Sequence, residues 1–186
     1  ELVINEIDAD TDSSDELEFL EIKSVSPNFS LDGYIVVFFN GSSIGSDSSY
    51  LTLDLNGFQT DINGLFLIGN INVSPSAQLI IANNSIQNGA DAVAIYKDYD
   101  FNFPIGTLAT TVNLIDAIAY DTSDSDDNKL MALLGLNSQL NENENDNQEN
   151  QSIQRINDIP ILRTENDWAR SYIEGTYTVS SPTPRK

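Results

Sequence analysis

The sequence predicts an all-β sandwich, and three observations carry the prediction. Short apolar stretches recur through the first two thirds of the chain, clusters of Gly, Asn, Asp and Ser separate them, and no long helical periodicity lies between them. The expected strands span residues 2–7, 17–23, 33–40, 50–55, 65–69, 78–82, 90–97 and 114–120. Residues 34–39, Tyr-Ile-Val-Val-Phe-Phe, are apolar almost without interruption, which predicts a central strand covered on both faces.

The connections follow from turn chemistry. Asn40-Gly41, Asn56-Gly57, Asn63-Gly64 and Asn88-Gly89 are Asn-Gly steps, each a hairpin or turn signal. Asn88-Gly89 predicts a hairpin turn into a strand with Ala90, Ala92 and Ala94 on one face and Asp91, Val93 and Ile95 on the other. The small face lets another element approach closely. Residues 129–135 predict one short helical turn ended by Gly135. Residues 141–151 hold no apolar side chain and read as a long, mobile polar loop, because nothing there repays the entropy of ordering. Strand alternation returns at 152–156, and Trp168 and Tyr177 are expected to pack on the core. Residues 1–180 therefore form one domain, and 181–186, with Pro182 and Pro184, read as a linker.

Composition restricts the chemistry. Cys and His are absent, so thiolate chemistry, imidazole acid–base catalysis and nitrogen ligation of zinc or copper are closed to this chain. A bound metal would be a hard ion held by oxygen. Against 29 acidic residues stand 8 basic ones, a net charge of −21. Nucleic acid, whose binding needs a positive surface, is not an expected partner. No apolar run is long enough to span a membrane. Glu1 in place of Met is read as the start of a mature or excised fragment whose leader lies outside this numbering.

With the strands placed, a family pattern can be read along most of the chain. Val3-Ile4-Asn5-Glu6-Ile7, Glu18-Phe19-Leu20-Glu21-Ile22, Leu31-Asp32-Gly33-Tyr34, Phe39-Asn40-Gly41, Leu67-Ile68-Gly69-Asn70, the segment 87–96, Asp116-Ala117-Ile118-Ala119-Tyr120-Asp121 and Ser152-Ile153-Gln154-Arg155 follow one another in an order that resembles the lamin-tail domain family, in its secreted bacterial form. The resemblance implies an immunoglobulin-like β-sandwich and an accessory module of secreted or surface proteins, sometimes joined to nucleases or other hydrolases. It supplies no catalytic residues. Nuclear members contact proteins and DNA, and the acidity of this chain speaks against the DNA role. Pro182-Thr183-Pro184-Arg185 stands where the family ends in Pro-Thr-Pro-Gly.

Three groups of residues are candidates for a site. Asp8, Asp10, Asp12, Asp15 and Glu16 crowd the first inter-strand loop, and Asp121, Asp124, Asp126 and Asp127 follow a later strand. Each is read either as a solvated acidic loop or as a calcium site, since Ca²⁺ takes six to eight oxygens and relieves carboxylate repulsion. An EF-hand is rejected because Asp15 sits where that loop needs Gly. Glu6 and Glu18 share strand parity with apolar neighbours and so are expected to face inward. Arg155 is then their expected cation, in a structural polar pair. Tyr50, Tyr99, Phe101, Phe103 and Trp168 form either a carbohydrate platform or, as the preferred reading, a cap on the core. The function expected is a non-catalytic binding or structural module of a secreted or cell-surface bacterial protein, monomeric as an isolated domain, with a protein or glycan partner. The alternative is an accessory fragment of a secreted hydrolase or nuclease whose catalytic domain lies outside the chain.

Overall fold

Every side chain from Tyr34 to Phe39 is buried, so the strand that carries them needs a layer on each face, and the rest of the fold supplies both. The structure is a computed structural model and describes residues 2–97, 103–156, 177–180 and 182–184. Its elements are β1 (Leu2–Asp8), a distorted helical turn α1 (Asp12–Asp15), β2 (Phe19–Ser24), β3 (Tyr34–Asn40), β4 (Ser48–Asp54), β5 (Leu65–Gly69), β6 (Leu79–Ile80), β7 (Asp91–Lys97), β8 (Leu114–Asp121), α2 (Asn128–Leu134), β9 (Gln139–Asn141), a 3-10 turn (Gln148–Asn150), β10 (Ser152–Arg155) and β11 (Tyr177–Ser180). They form two sheets, of order β11-β10-β1-β2-β5-β6 and β4-β3-β7-β8-β9. The all-β sandwich expected from the sequence is the architecture observed. Neighbouring strands run antiparallel except β5 with β6 and β8 with β9.

One core lies between the sheets and contains Ile4, Ile7, Leu20, Ile22, Tyr34, Val36, Phe38, Phe66, Val93, Ile95, Ile118 and Ile153. A second lies on the far face of the five-stranded sheet. There Ile35, Val37 and Phe39 meet Ala92, Ala94, Ala117 and Ala119, and α2 closes over them with Leu130, Met131 and Leu134. The small-residue face of β7 thus admits a helix. α2 has seven residues, too few to persist alone. Burial of Leu130 and Leu134, each worth about 1.5–3 kcal/mol, holds it in place. Asp127 caps its first turn by accepting from Lys129 N and Leu130 N, and Gly135 at φ 71° ends it, as the sequence indicates.

Two expectations need correction. Asn88-Gly89 does not turn a hairpin: β6 and β7 belong to different sheets, and Gly89 is not among the glycines with positive φ. The segment 81–90 is a crossover. Parity also breaks in β1, where a bulge between Ile4 and Glu6 lets both Ile4 and Ile7 enter the core. Glu6 is thereby turned to the outer face.

The sheet edges are short or covered. β6 has two residues and β9 three. The open side of β4 is taken by the segment 104–109, through Ser49 N to Thr107 O, Gly106 N to Ser49 O and Ala109 N to Asp47 O. Among the described residues no helix is long and apolar enough to cross a membrane.

Candidate functional site

At one end of the sandwich β3 leaves its sheet, β7 enters and β8 leaves, because Asn40 pairs with Asp91 and Asp91 with Tyr120. The loops beyond these residues must therefore meet. They enclose an open cleft of about 720 Å³ lined by residues of three segments, 40–42, 84–91 and 124–128. Asn40 joins two of them: its Nδ2 donates to Gln87 Oε1 at 2.5 Å, and its Oδ1 accepts from Ser42 N at 2.8 Å. Gln87 N donates to the Tyr50 hydroxyl at 3.0 Å, and Thr122 Oγ1 donates to Asn88 O at 2.7 Å. Gly41 permits the closest approach, since a methyl group there would fall 2.1 Å from Ala90 O.

Asp91 is 3% exposed. Its Oδ1 accepts from Gly41 N at 2.9 Å. Burial pushes its carboxyl up to about 6, against the pull of the Gly41 and Gly89 amides and with help from Asp124 and Asp127. Among the described residues the lining side chains are chiefly amides, carboxylates and the hydroxyls of Ser42 and Ser125, with no basic group. Such a surface offers donors and acceptors to a polar ligand and favours a neutral or positive one over an anion.

The two acidic loops flank the segment 84–91 without merging. Asp10 hydrogen-bonds Asn88, and Asn84 N donates to Asp15 O at 3.0 Å, while Asp124 and Asp126 line the cleft. Asp15 Oδ1 accepts from Thr11 N, and Asp12 is exposed. Asp121 is committed to its own loop, accepting from Ser123 N, Asp124 N and Gln139 Nε2. Among the described residues no three carboxylates converge at metal-binding distance. Asp8 is different. It is 3% exposed, and its Oδ1 has no hydrogen-bond partner.

The predicted polar pair is also corrected. Glu6 accepts from Ser152 Oγ, Gln154 Nε2, and both N and Oγ1 of Thr183. Glu18 accepts from Asn70 Nδ2, Ser85 N and Ile86 N. Neutral donors therefore satisfy both. Arg155 instead forms an ion pair with Asp116, Nη2 to Oδ2 at 2.7 Å, and its Nε donates to Ile4 O. Asp116 shares strand parity with Ile118 and Tyr120, so an inward acid was readable there.

Glu142 was the harder residue to see. It lies in the polar run yet is fully buried, and it takes the amides of Ala9 and Asp10. Its parity with Leu140, which packs on the core, is the available signal. Among the aromatic candidates, Phe103 packs on Phe39 and Tyr96 in the second core. Tyr50 packs on Phe38. Tyr99, Phe101, Trp168 and the side chain of Tyr177 lie outside the described residues. Comparison with family models, curated proteins and solved structures finds no match to this chain.

Proposed function

We propose that this chain is a non-catalytic binding and structural module of lamin-tail type, an immunoglobulin-like sandwich carried by a secreted or cell-surface bacterial protein. The observation that supports the binding role best is the cleft in which loops from β3, β7 and β8 meet. A rigid sandwich fixes the loop stems, and side chains on the loops provide recognition. Amides and carboxylates without a basic partner favour a neutral or positively charged ligand, a glycan or a protein segment, over DNA. The ordered motif resemblance supports the family assignment and the extracellular setting.

The test is a screen of the purified chain on glycan and peptide arrays, followed by titration of each retained ligand against Gln87→Ala and Asn88→Ala. A loss of tenfold or more in both variants is expected. Binding that neither variant weakens, or preferential binding of duplex DNA in a salt-dependent gel shift, overturns the reading.

A further inference from the structure

Where the end of β1 meets β9 and β10, buried oxygen atoms outnumber the groups that could satisfy them. Asp8 is 3% exposed and Gln151 6%, and neither Asp8 Oδ1 nor Gln151 Oε1 has a hydrogen-bond partner among the described residues. They belong to the same strand end: Ile7 pairs with Ile153, so continuing that register brings Ser152 opposite Asp8 and Gln151 opposite Ala9.

Among the described residues, the charged groups acting on Asp8 are carboxylates, Glu142 foremost, then Glu6, Asp10 and Glu18. Among the described residues, the ion pairs of Lys129 with Asp47 and of Arg155 with Asp116 lie elsewhere. Glu6, Glu18 and Glu142 have donors, as described above. Asp8 is the member of the group left with a bare oxygen. A buried carboxylate in that position calls for a cation or a proton. A water molecule could donate to the bare oxygen but would leave the charge uncompensated.

We propose that Asp8 Oδ1 seats a calcium ion, shared with Glu142 and completed by neutral oxygens and water. The donor chemistry is oxygen alone, which selects a hard cation. Asp8 and Gln151 are both buried, and Ca²⁺ exchanges its waters for protein oxygens in flexible geometry, whereas Mg²⁺ dehydrates reluctantly and demands a near-ideal octahedron. A site with only two carboxylates belongs with the weak sites of extracellular modules, whose dissociation constants run from about 0.1 to 1 mM. In the other acidic loop, Asp121 already accepts from Ser123, Asp124 and Gln139. The inference is independent of the ligand cleft.

The experiment is thermal unfolding of the full chain at pH 7.5 in EDTA, then in 10 mM Ca²⁺, with 10 mM Mg²⁺ as control. A Ca²⁺-selective rise of several degrees is expected. Asp8→Asn should abolish the rise while melting, without cation, no lower than the parent chain. Glu142→Gln should reduce the rise, and it serves as the test variant if Asp8→Asn does not fold. Gln87→Ala should retain the full rise, which separates this site from the cleft. An unchanged melting temperature of the parent chain in Ca²⁺ overturns the proposal. So does a rise that persists in the Asp8 variant, or in the Glu142 variant where that one stands in.

Discussion

Arg155 on β10 and Asp116 on β8 form an ion pair across the sandwich, with Nη2 2.7 Å from Oδ2 and both side chains at most 2% exposed. Asp116 Oδ2 also accepts from Ile4 N, and Arg155 Nε donates to Ile4 O. The pair therefore takes up both backbone polar groups of Ile4, next to the bulge where regular pairing of β1 is interrupted. Removing one partner leaves a buried charge uncompensated, which typically costs about 3–5 kcal/mol. Arg155→Ala and Asp116→Ala are each expected to lower stability by that amount in urea denaturation. The double variant should cost much less than the sum of the two. Additive losses would mean that the two residues act separately.

Glu142 makes a second tie between the sheets, from the end of β9 to Ala9 N at 3.1 Å and Asp10 N at 3.2 Å. Burial pushes its carboxyl well above the usual range, opposed by those two amides. Glu142→Ala should cost about 2–4 kcal/mol, because it strands amides that have left water. Glu142→Gln keeps an acceptor and sheds the buried charge, so without added cation at pH 7 it should be neutral or slightly stabilising. Chemical denaturation of the two variants side by side checks the contrast. Equal losses would show that the carboxylate charge itself carries the contact.

Asp91 gives the chain an unusual pH response. Its carboxyl titrates at about 6 in the folded chain, against 3.8 for the free group. Between those values the folded chain holds a proton that the unfolded chain has released. Stability present at pH 4 is therefore lost as the pH rises through 6: two units at 1.36 kcal/mol each, or about 3 kcal/mol at most. Glu18, also raised by burial, acts with the same sign. Melting temperatures measured from pH 4 to 7 in EDTA should fall along this window, and Asp91→Asn should flatten the fall. An unchanged slope in the variant would remove Asp91 as its source.

The Asn56-Gly57 step is guarded against succinimide formation. That reaction needs Gly57 N to lose its proton and attack Asn56 Cγ with release of ammonia. Gly57 N instead donates to Asp32 Oδ1 at 2.7 Å, and Asn56 Oδ1 is held by Gly33 N at 2.7 Å. Hydrogen bonds from Gly57 and Ser30 keep the Asp32 carboxyl below its ordinary range, so it stays an acceptor in mild acid. Asp32→Ala should speed deamidation at Asn56 several-fold, measured by peptide mapping after incubation at pH 8. An unaltered rate would mean that backbone geometry alone protects the step.

Local chemistry made most of this fold readable. Alternation and turn residues located β1 to β8 within a few residues, and Gly135 marked the end of α2. What lies across from a strand was not readable. Asn88-Gly89 has the composition of a hairpin, but the assignment of β6 and β7 to different sheets depends on partners far away in the chain. The parity argument for Glu6 failed because a one-residue bulge reverses every side chain after it. Arg155 could be recognised as a needed cation, yet choosing among inward acids required knowing that β10 lies beside β1 and opposite β8. The cleft was legible only through the acidic loop that carries Asp124 and Asp126, since the amides that line most of it carry no distinctive signal.

The sheet edges determine how this chain behaves at high concentration. A growing aggregate needs a long row of unpaired backbone amides and carbonyls to template the next strand. Here β6 offers two residues and β9 three, and the side of β4 is already taken by the segment 104–109. Three of the four edges described thus give an incoming chain too little register to propagate a sheet, which leaves β11 as the edge through which copies could meet.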